Sequence, residues 1–132
     1  MGRDLILDTN LLIAFERQEV DRAALDEDTL AIAAISAAEF LQGVELADTP
    51  ERGKNRRLVW EAIAEVVTIL DYTSTTVRHH ARLLAHTQQS GRKRGAHDLV
   101  TAAHAVETGR QILSTDAKAR FGNLPEVSVA TL

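Results

Sequence analysis

The sequence contains no cysteine, only two prolines and few aromatic residues. Without cysteine there is neither a disulfide framework nor a thiolate zinc centre, and a reducing compartment such as the cytoplasm is the expected location. No apolar run approaches the ~20 residues that cross a bilayer. The N-terminus also lacks the long apolar core and small-residue cleavage site of a secretory signal, so no membrane association is expected. A basic excess is missing too. Lys and Arg number 15 against 19 Asp and Glu, a net charge of −4, so bulk charge does not announce a nucleic-acid binder. There is no internal repeat, low-complexity tract or linker, and 132 residues suit one domain over 1–132 with a real core.

What is present is an alternation of strand-like and helix-like segments. "LILD" is a short strand, "NLLIAFERQ" a short helix, and "DRAALD" a further helical turn. "TLAIAA" is a buried strand, followed by a helix in "SAAEFLQGVELA", where Ser36 stands three residues before Glu39 as in a capping box. Pro50 opens a longer helix, "PERGKNRRLVWEAIAEV". "VTILDY" is a strand, "STTVRHHARLLAHTQQS" an amphipathic helix closed by Gly91, and "HDLVTAAHAVETG" another helix closed by Gly109. "QILST" is a strand, and "VSVATL" is the candidate for a last one. Alternating strands and helices predict an α/β fold with a mainly parallel sheet. In such sheets ligands sit outside the carboxyl ends of the strands.

That rule directs attention to four acids. Asp8 ends the first strand, and Asp116 follows the strand "QILST". Glu39 and Asp98 fall in the first turns of predicted helices. A parallel sheet can gather all four at one edge, although they lie far apart in the chain. Each has a plain alternative, because acids in a first turn meet free N–H groups and the helix dipole. For Glu39 the capping box alone would suffice. Asp8 is less easily explained, since it follows an apolar strand directly. Several carboxylates in one pocket repel unless a cation offsets them. Without a His or Cys pattern nearby, an oxygen-only site suits Mg²⁺ or Mn²⁺ rather than zinc, and those ions serve phosphoryl chemistry.

The segments "LILDTN" with Asp8, "ISAAEFLQG" with Glu39, "GAHDLVTAAHA" with Asp98 and "ILSTDAKARF" with Asp116 resemble the motifs of PIN-domain ribonucleases. More narrowly, the chain resembles the VapC-type toxins of type II toxin–antitoxin pairs, over nearly its whole length. The resemblance implies a mostly parallel five-stranded sheet flanked by helices, with Mg²⁺- or Mn²⁺-dependent endonucleolytic cleavage of RNA. It also implies a homodimer and a cognate VapB-type antitoxin whose tail occupies the acidic groove. Asp8 and Asp98 match the most direct metal-binding positions, Glu39 the helix-borne glutamate, and Asp116 the last acid. Ser114 stands where a threonine is common, and Asn10 matches a polar residue that orients the site. Phe121 lies further beyond Asp116 than is usual in that family.

Arg92, Lys93 and Arg94, just upstream of Asp98, are either a solvated loop or phosphate-positioning residues of an RNA contact. Arg52, Lys54, Arg56 and Arg57 read as a solvated helix face. His79 and His80 are adjacent on a helix and point in different directions, so they cannot chelate as an i, i+4 pair would. His97 is read as a helix N-cap. Trp60, Ile63 and Val67, and likewise Val77, Ala81 and Leu84, have helical spacing and belong to the core or a dimer surface. Two rival functions remain open. One is a phosphohydrolase with Asp8 as nucleophile, against which Asn10 occupies the position where a second acid is usual. The other is a non-catalytic RNA- or partner-binding module, against which all four acids are present.

Overall fold

The computed structural model describes residues 2–116 and 119–132. Ala117 and Lys118, inside the motif "ILSTDAKARF", lie outside the described residues. Four strands, β1 (Asp4–Leu7), β2 (Thr29–Ala33), β3 (Val67–Leu70) and β4 (Gln111–Leu113), form one parallel sheet in the order β3-β2-β1-β4. Five helices connect and cover them: α1 (Thr9–Glu16), α2 (Ala34–Glu45), α3 (Pro50–Val66), α4 (Ser74–Ser90) and α5 (Ala96–Thr108). The predicted α/β architecture is therefore present. The last segment contributes a parallel bridge, Ile112 with Val129, instead of a full fifth strand. Two hydrogen bonds hold it: the Ile112 N–H donates to the Ser128 carbonyl at 2.9 Å and the Ala130 N–H to the Ile112 carbonyl at 2.8 Å. "DRAALD" forms a single 3-10 turn, Arg22–Leu25.

Strand β1 is central and buried on both sides, which is why it reads as a continuous apolar run. Its side chains alternate between two cores. Ile6 packs with Leu83, Leu99, Ala102 and Phe121, under α4 and α5. Leu5 and Leu7 pack with Leu11, Leu12, Phe40 and Ile63, under α1, α2 and α3. Each such side chain contributes about 1.5–3 kcal/mol of burial energy. Ala102, Ala103 and Ala105 are buried on α5; their small size lets that helix approach the sheet closely.

The helix ends follow local chemistry in most cases. Thr49 caps α3, accepting the Arg52 N–H, with Pro50 just inside. Gly91 and Gly109 close α4 and α5 in left-handed conformation, φ 68° and 69°. The start of α2 differs from expectation. The helix begins at Ala34 with Ala33 as an uncapped N-cap, so Ser36 lies inside the first turn and makes no capping box with Glu39. The Ser36 hydroxyl is buried with no hydrogen-bond partner among the described residues. Strand β2 passes into α2 without a turn residue, and the apolar run 30–35 hid that boundary. The N-cap of α5 is Gly95, not His97.

On α4, Val77, Ala81 and Leu84 are exposed, so that stripe belongs to the surface and not to the core. Of the first trio, Ile63 is core, while Trp60 and Val67 are partly buried against it. His79 and His80 diverge as expected: Nδ1 of His80 shares a hydrogen bond with the Tyr72 hydroxyl at 2.8 Å, whereas Nδ1 of His79 is buried with no hydrogen-bond partner among the described residues.

Candidate active site

The order of the strands fixes the location of the site. The chain runs outward from β1 to β2 and β3, then returns past β1 to add β4 on the other side. The carboxyl ends of β1 and β4 therefore flank a topological switch point, where the helices leaving adjacent strands part. The register sets Leu7 opposite both Ile32 and Leu113. The residues that follow, Asp8, Ala33 and Ser114, consequently come level at one edge.

Asp8 is buried, 4% exposed, and is held from three directions. Its N–H donates to the Leu113 carbonyl at 3.1 Å. Its Oδ1 accepts the Thr9 N–H at 2.9 Å, capping α1, and its Oδ2 accepts the Ser114 hydroxyl at 2.9 Å. The same Ser114 oxygen accepts the N–H of Asp116 at 2.9 Å, so one hydroxyl fixes the carboxylate on β1 and the backbone of the residue bearing the last acid. Burial pushes the Asp8 carboxyl above its ordinary range, the Ser114 and Thr9 bonds pull it back, and Asp116 and Glu39 push it up further.

Glu39 reaches the same edge from the second turn of α2. The Thr9 hydroxyl donates to its Oε1 at 3.0 Å, and Nδ1 of His97 lies 3.1 Å from its Oε2. Thr9 thus links the two acids, its N–H bound to the Asp8 carboxylate and its hydroxyl to Glu39. Asp98 lies in the first turn of α5. Its carboxylate folds back over Gly95, where an added Cβ would stand 2.9 Å from Oδ2, so glycine makes room for it. The Asp98 carboxyl is pushed up to about 6, first by burial, then by Asp8, Asp116 and Glu39, with His97 opposing. Mutual electrostatic coupling ties all four predicted acids into one neighbourhood.

Asn10 is exposed on α1. Arg92 and Lys93 are exposed as well, and line a cavity of about 430 Å³ that shares Asp98 as a wall. Arg94 lines it too, but its Nη1 is engaged with the carbonyls of Ala119 and Arg120 at 2.6 and 2.7 Å. The residues that sequence reasoning passed over are Thr9, the pairing role of His97, and Arg120. Only a threonine directly after the strand-ending acid offered a signal for the first; the others depend on tertiary placement.

The donor set fits a hard divalent cation. It is all oxygen, and no Lys or Arg among the described residues forms an ion pair with Asp8, Glu39 or Asp98. Burial raises the Asp8 and Asp98 carboxyls first, and the neighbouring acids raise them further. Among the described residues no three His, Asp, Glu or Cys side chains form a finished metal-binding group, so the acids share an edge and not a closed coordination shell.

A parallel α/β sheet carrying acids at its switch point is an architecture suited to metal-assisted phosphoryl chemistry. The model of the PIN domain matches residues 5–125, and the chain belongs to the PIN-domain family. Within it, the similarity runs to VapC ribonucleases. Ribonuclease VapC5 of Mycobacterium tuberculosis is 32% identical over 84% of this chain and 82% of its own length. Ribonuclease VapC of Rickettsia bellii is 28% identical over 97% and 96%. Among solved structures, a chain of VapBC-5 from Mycobacterium tuberculosis, a member of the VapBC family of toxin–antitoxin systems, superposes with a TM-score of 0.80 at 27% identity, covering 99% of this chain and 98% of that one.

Proposed function

We propose that the protein, as one nuclease domain over 1–132, is a Mg²⁺- or Mn²⁺-dependent endoribonuclease and the toxin of a VapBC-type pair. The observation that carries this reading is the gathering of Asp8, Glu39, Asp98 and Asp116 at the switch point, with Asp98 pushed up to about 6 by burial and then by the other three acids. Such a cluster is tolerable at neutral pH when a cation joins it. The similarity to VapC ribonucleases and to a VapBC complex supports the substrate and the partner class.

Asp8, Asp98 and Glu39 would hold the ion, and Asp116 would shape the site or help hold a second. A divalent ion there supplies Lewis acidity toward a phosphodiester oxygen and lowers the pKa of a water. Ser114 and Thr9 fix Asp8 and Glu39 by hydrogen bonds, so that the carboxylates need little reorganisation when substrate arrives. Asn10 orients the site from its rim. Water, and not the 2′-hydroxyl of RNA, is the nucleophile, leaving 5′-phosphate and 3′-hydroxyl ends. A cytoplasmic homodimer restrained by a VapB-type antitoxin is the corresponding cellular form. The exposed stripe of Val77 and Leu84 on α4 gives a dimer an apolar surface. No helix among the described residues is long and apolar enough to cross a membrane.

The test is incubation of the antitoxin-free protein with structured RNAs in Mg²⁺, Mn²⁺ or EDTA, beside Asp8→Asn. Internal cuts that require the metal and vanish in a folded Asp8→Asn variant are expected. Cutting in EDTA, 2′,3′-cyclic phosphate ends, or turnover of small phosphate esters alone would overturn the reading.

A further inference from the structure

We propose that Arg92, Lys93 and Arg120 form a phosphate subsite beside the acidic cluster, which takes the RNA backbone phosphate next to the one that is cleaved. The inference rests on the ribonuclease reading and adds where the substrate lies. Three observations carry it.

The cavity of about 430 Å³ is lined by Arg92, Lys93, Arg94 and Arg120 together with Gly95 and Asp98. Four cations concentrate there in a chain whose net charge is −4. Arg92, Lys93 and Arg120 enter no ion pair among the described residues, although Asp98 shares their cavity. These three cations lack an anion, and Asp98 beside them pairs with no Lys or Arg among the described residues. A phosphodiester chain with a divalent ion at the acidic end satisfies both.

Arg120 stands between the two halves. It also lines a second cavity, of about 210 Å³, together with Ser114 and Asp116. The residue therefore lines both the cavity that holds Asp98 and the one that holds Asp116. Its backbone is left-handed, φ 49°, a conformation that costs a residue with a Cβ on the order of 1 kcal/mol or more. Arg94 offsets that cost by donating to the carbonyls of Ala119 and Arg120. Arg94 is thus a positioning residue: it holds the turn that presents Arg120.

The third observation is the N-terminus of α5. Its N-cap, Gly95, offers no side-chain hydrogen bond and lines the same cavity. The first N–H groups of a thirteen-residue helix open beside the cations, and a phosphate accepts such donors well.

The experiment measures binding of a fluorescein-labelled single-stranded oligoribonucleotide by anisotropy. It uses the cleavage-blocked Asp8→Asn protein as parent, with Mg²⁺, across a salt series. Adding Arg92→Ala and Arg120→Ala together should weaken binding on the order of tenfold, and lower the slope of log K against log salt by about 1.4, as expected for two lost contacts on a single strand. Arg94→Ala should reproduce the Arg120→Ala loss and be non-additive with it, whereas Arg94→Lys should restore part of it; a purely structural role would leave the salt slope unmoved. Arg57→Ala, on the exposed face of α3, should bind as the parent does. If the parent binds RNA and the double variant binds it with the same affinity and slope, the subsite is wrong and the ribonuclease reading stands. If the parent binds no RNA and the wild type cuts none, both fail together.

Discussion

Replacing Asp98 by asparagine tests the electrostatics of the site without requiring any substrate. In the folded protein the carboxyl is raised from 3.8 to about 6 by burial and by three neighbouring acids. The unfolded chain releases that proton near the ordinary value, so between the two values the native state binds more protons. Stability therefore falls as pH rises through this window, and the full penalty persists above it. A shift of about two units at 1.36 kcal/mol each sets a ceiling of roughly 3 kcal/mol. Asp98 is partly exposed, and screening reduces the figure to about 1–2 kcal/mol. Asparagine also forfeits a helix-dipole contribution of about 0.3–1 kcal/mol in the first turn of α5. The net expectation for Asp98→Asn in EDTA at pH 8 is a gain of about 1 kcal/mol, a rise in Tm of about 3–5 °C for a domain of this size. Near pH 3, below both values, the two proteins should melt close together, because the wild-type carboxyl is then largely neutral folded and unfolded and the variant carries a neutral amide. With Mg²⁺ at pH 8 the order should reverse, since only the wild type keeps the full donor set. Calorimetric scans at both pH values, with and without the metal, read all three comparisons. If the variant melts at or below the wild type in EDTA at pH 8, the four acids are not an electrostatically strained cluster and the proposed metal site loses its chief support.

Further expectations concern the hydrogen bonds around the acids and the core beneath them. Ser114→Ala removes the bond that pulls the Asp8 carboxyl down, so the acid limb of the pH–rate profile should move to higher pH; an unmoved limb would mean that Asp8 does not titrate in the active form. Thr9→Val keeps the shape of the side chain but releases Glu39. Calorimetric titration with Mn²⁺ should show affinity lower by about 10–100-fold, with little change in Tm. Ile6→Ala cuts into the core under α4 and α5 and should cost about 2–5 kcal/mol in urea unfolding, with an unchanged m-value.

Much of this architecture was legible because β1 and β4 are short apolar runs with an acid or a polar residue at the exit. Asp8 stands out for that reason, since a charge after "LIL" has to be turned or used, and here it is both an N-cap and a member of the acidic edge. Pro50, Gly91 and Gly109 mark helix ends by backbone geometry alone, and they fall where expected. The passage from β2 to α2 was not legible. Leu30 through Ile35 are apolar under either periodicity, so Ser36 looked like a cap when it is an interior residue with an orphaned hydroxyl. Thr9 to Glu39 and Arg94 to the 119–120 backbone depend on how helices are set against one another, and no local pattern encodes that. The exposed stripe on α4 shows the same limit: helical spacing identifies an apolar face but not what it meets.

Asp8 and Ser114 stand 106 positions apart in the chain, which has a consequence for synthesis. Closing so long a loop is entropically slow, and no pairing to β4 is possible until residues 111–113 exist. A growing polypeptide can carry Asp8, Glu39 and Asp98 and still lack the strand that fixes the first of them. On the proposed activity, a chain that stops short of β4 lacks the bond from Ser114 that fixes Asp8 and is expected to cleave poorly. The order of the strands thus makes completion of the site wait on the strand that is synthesised last of the four.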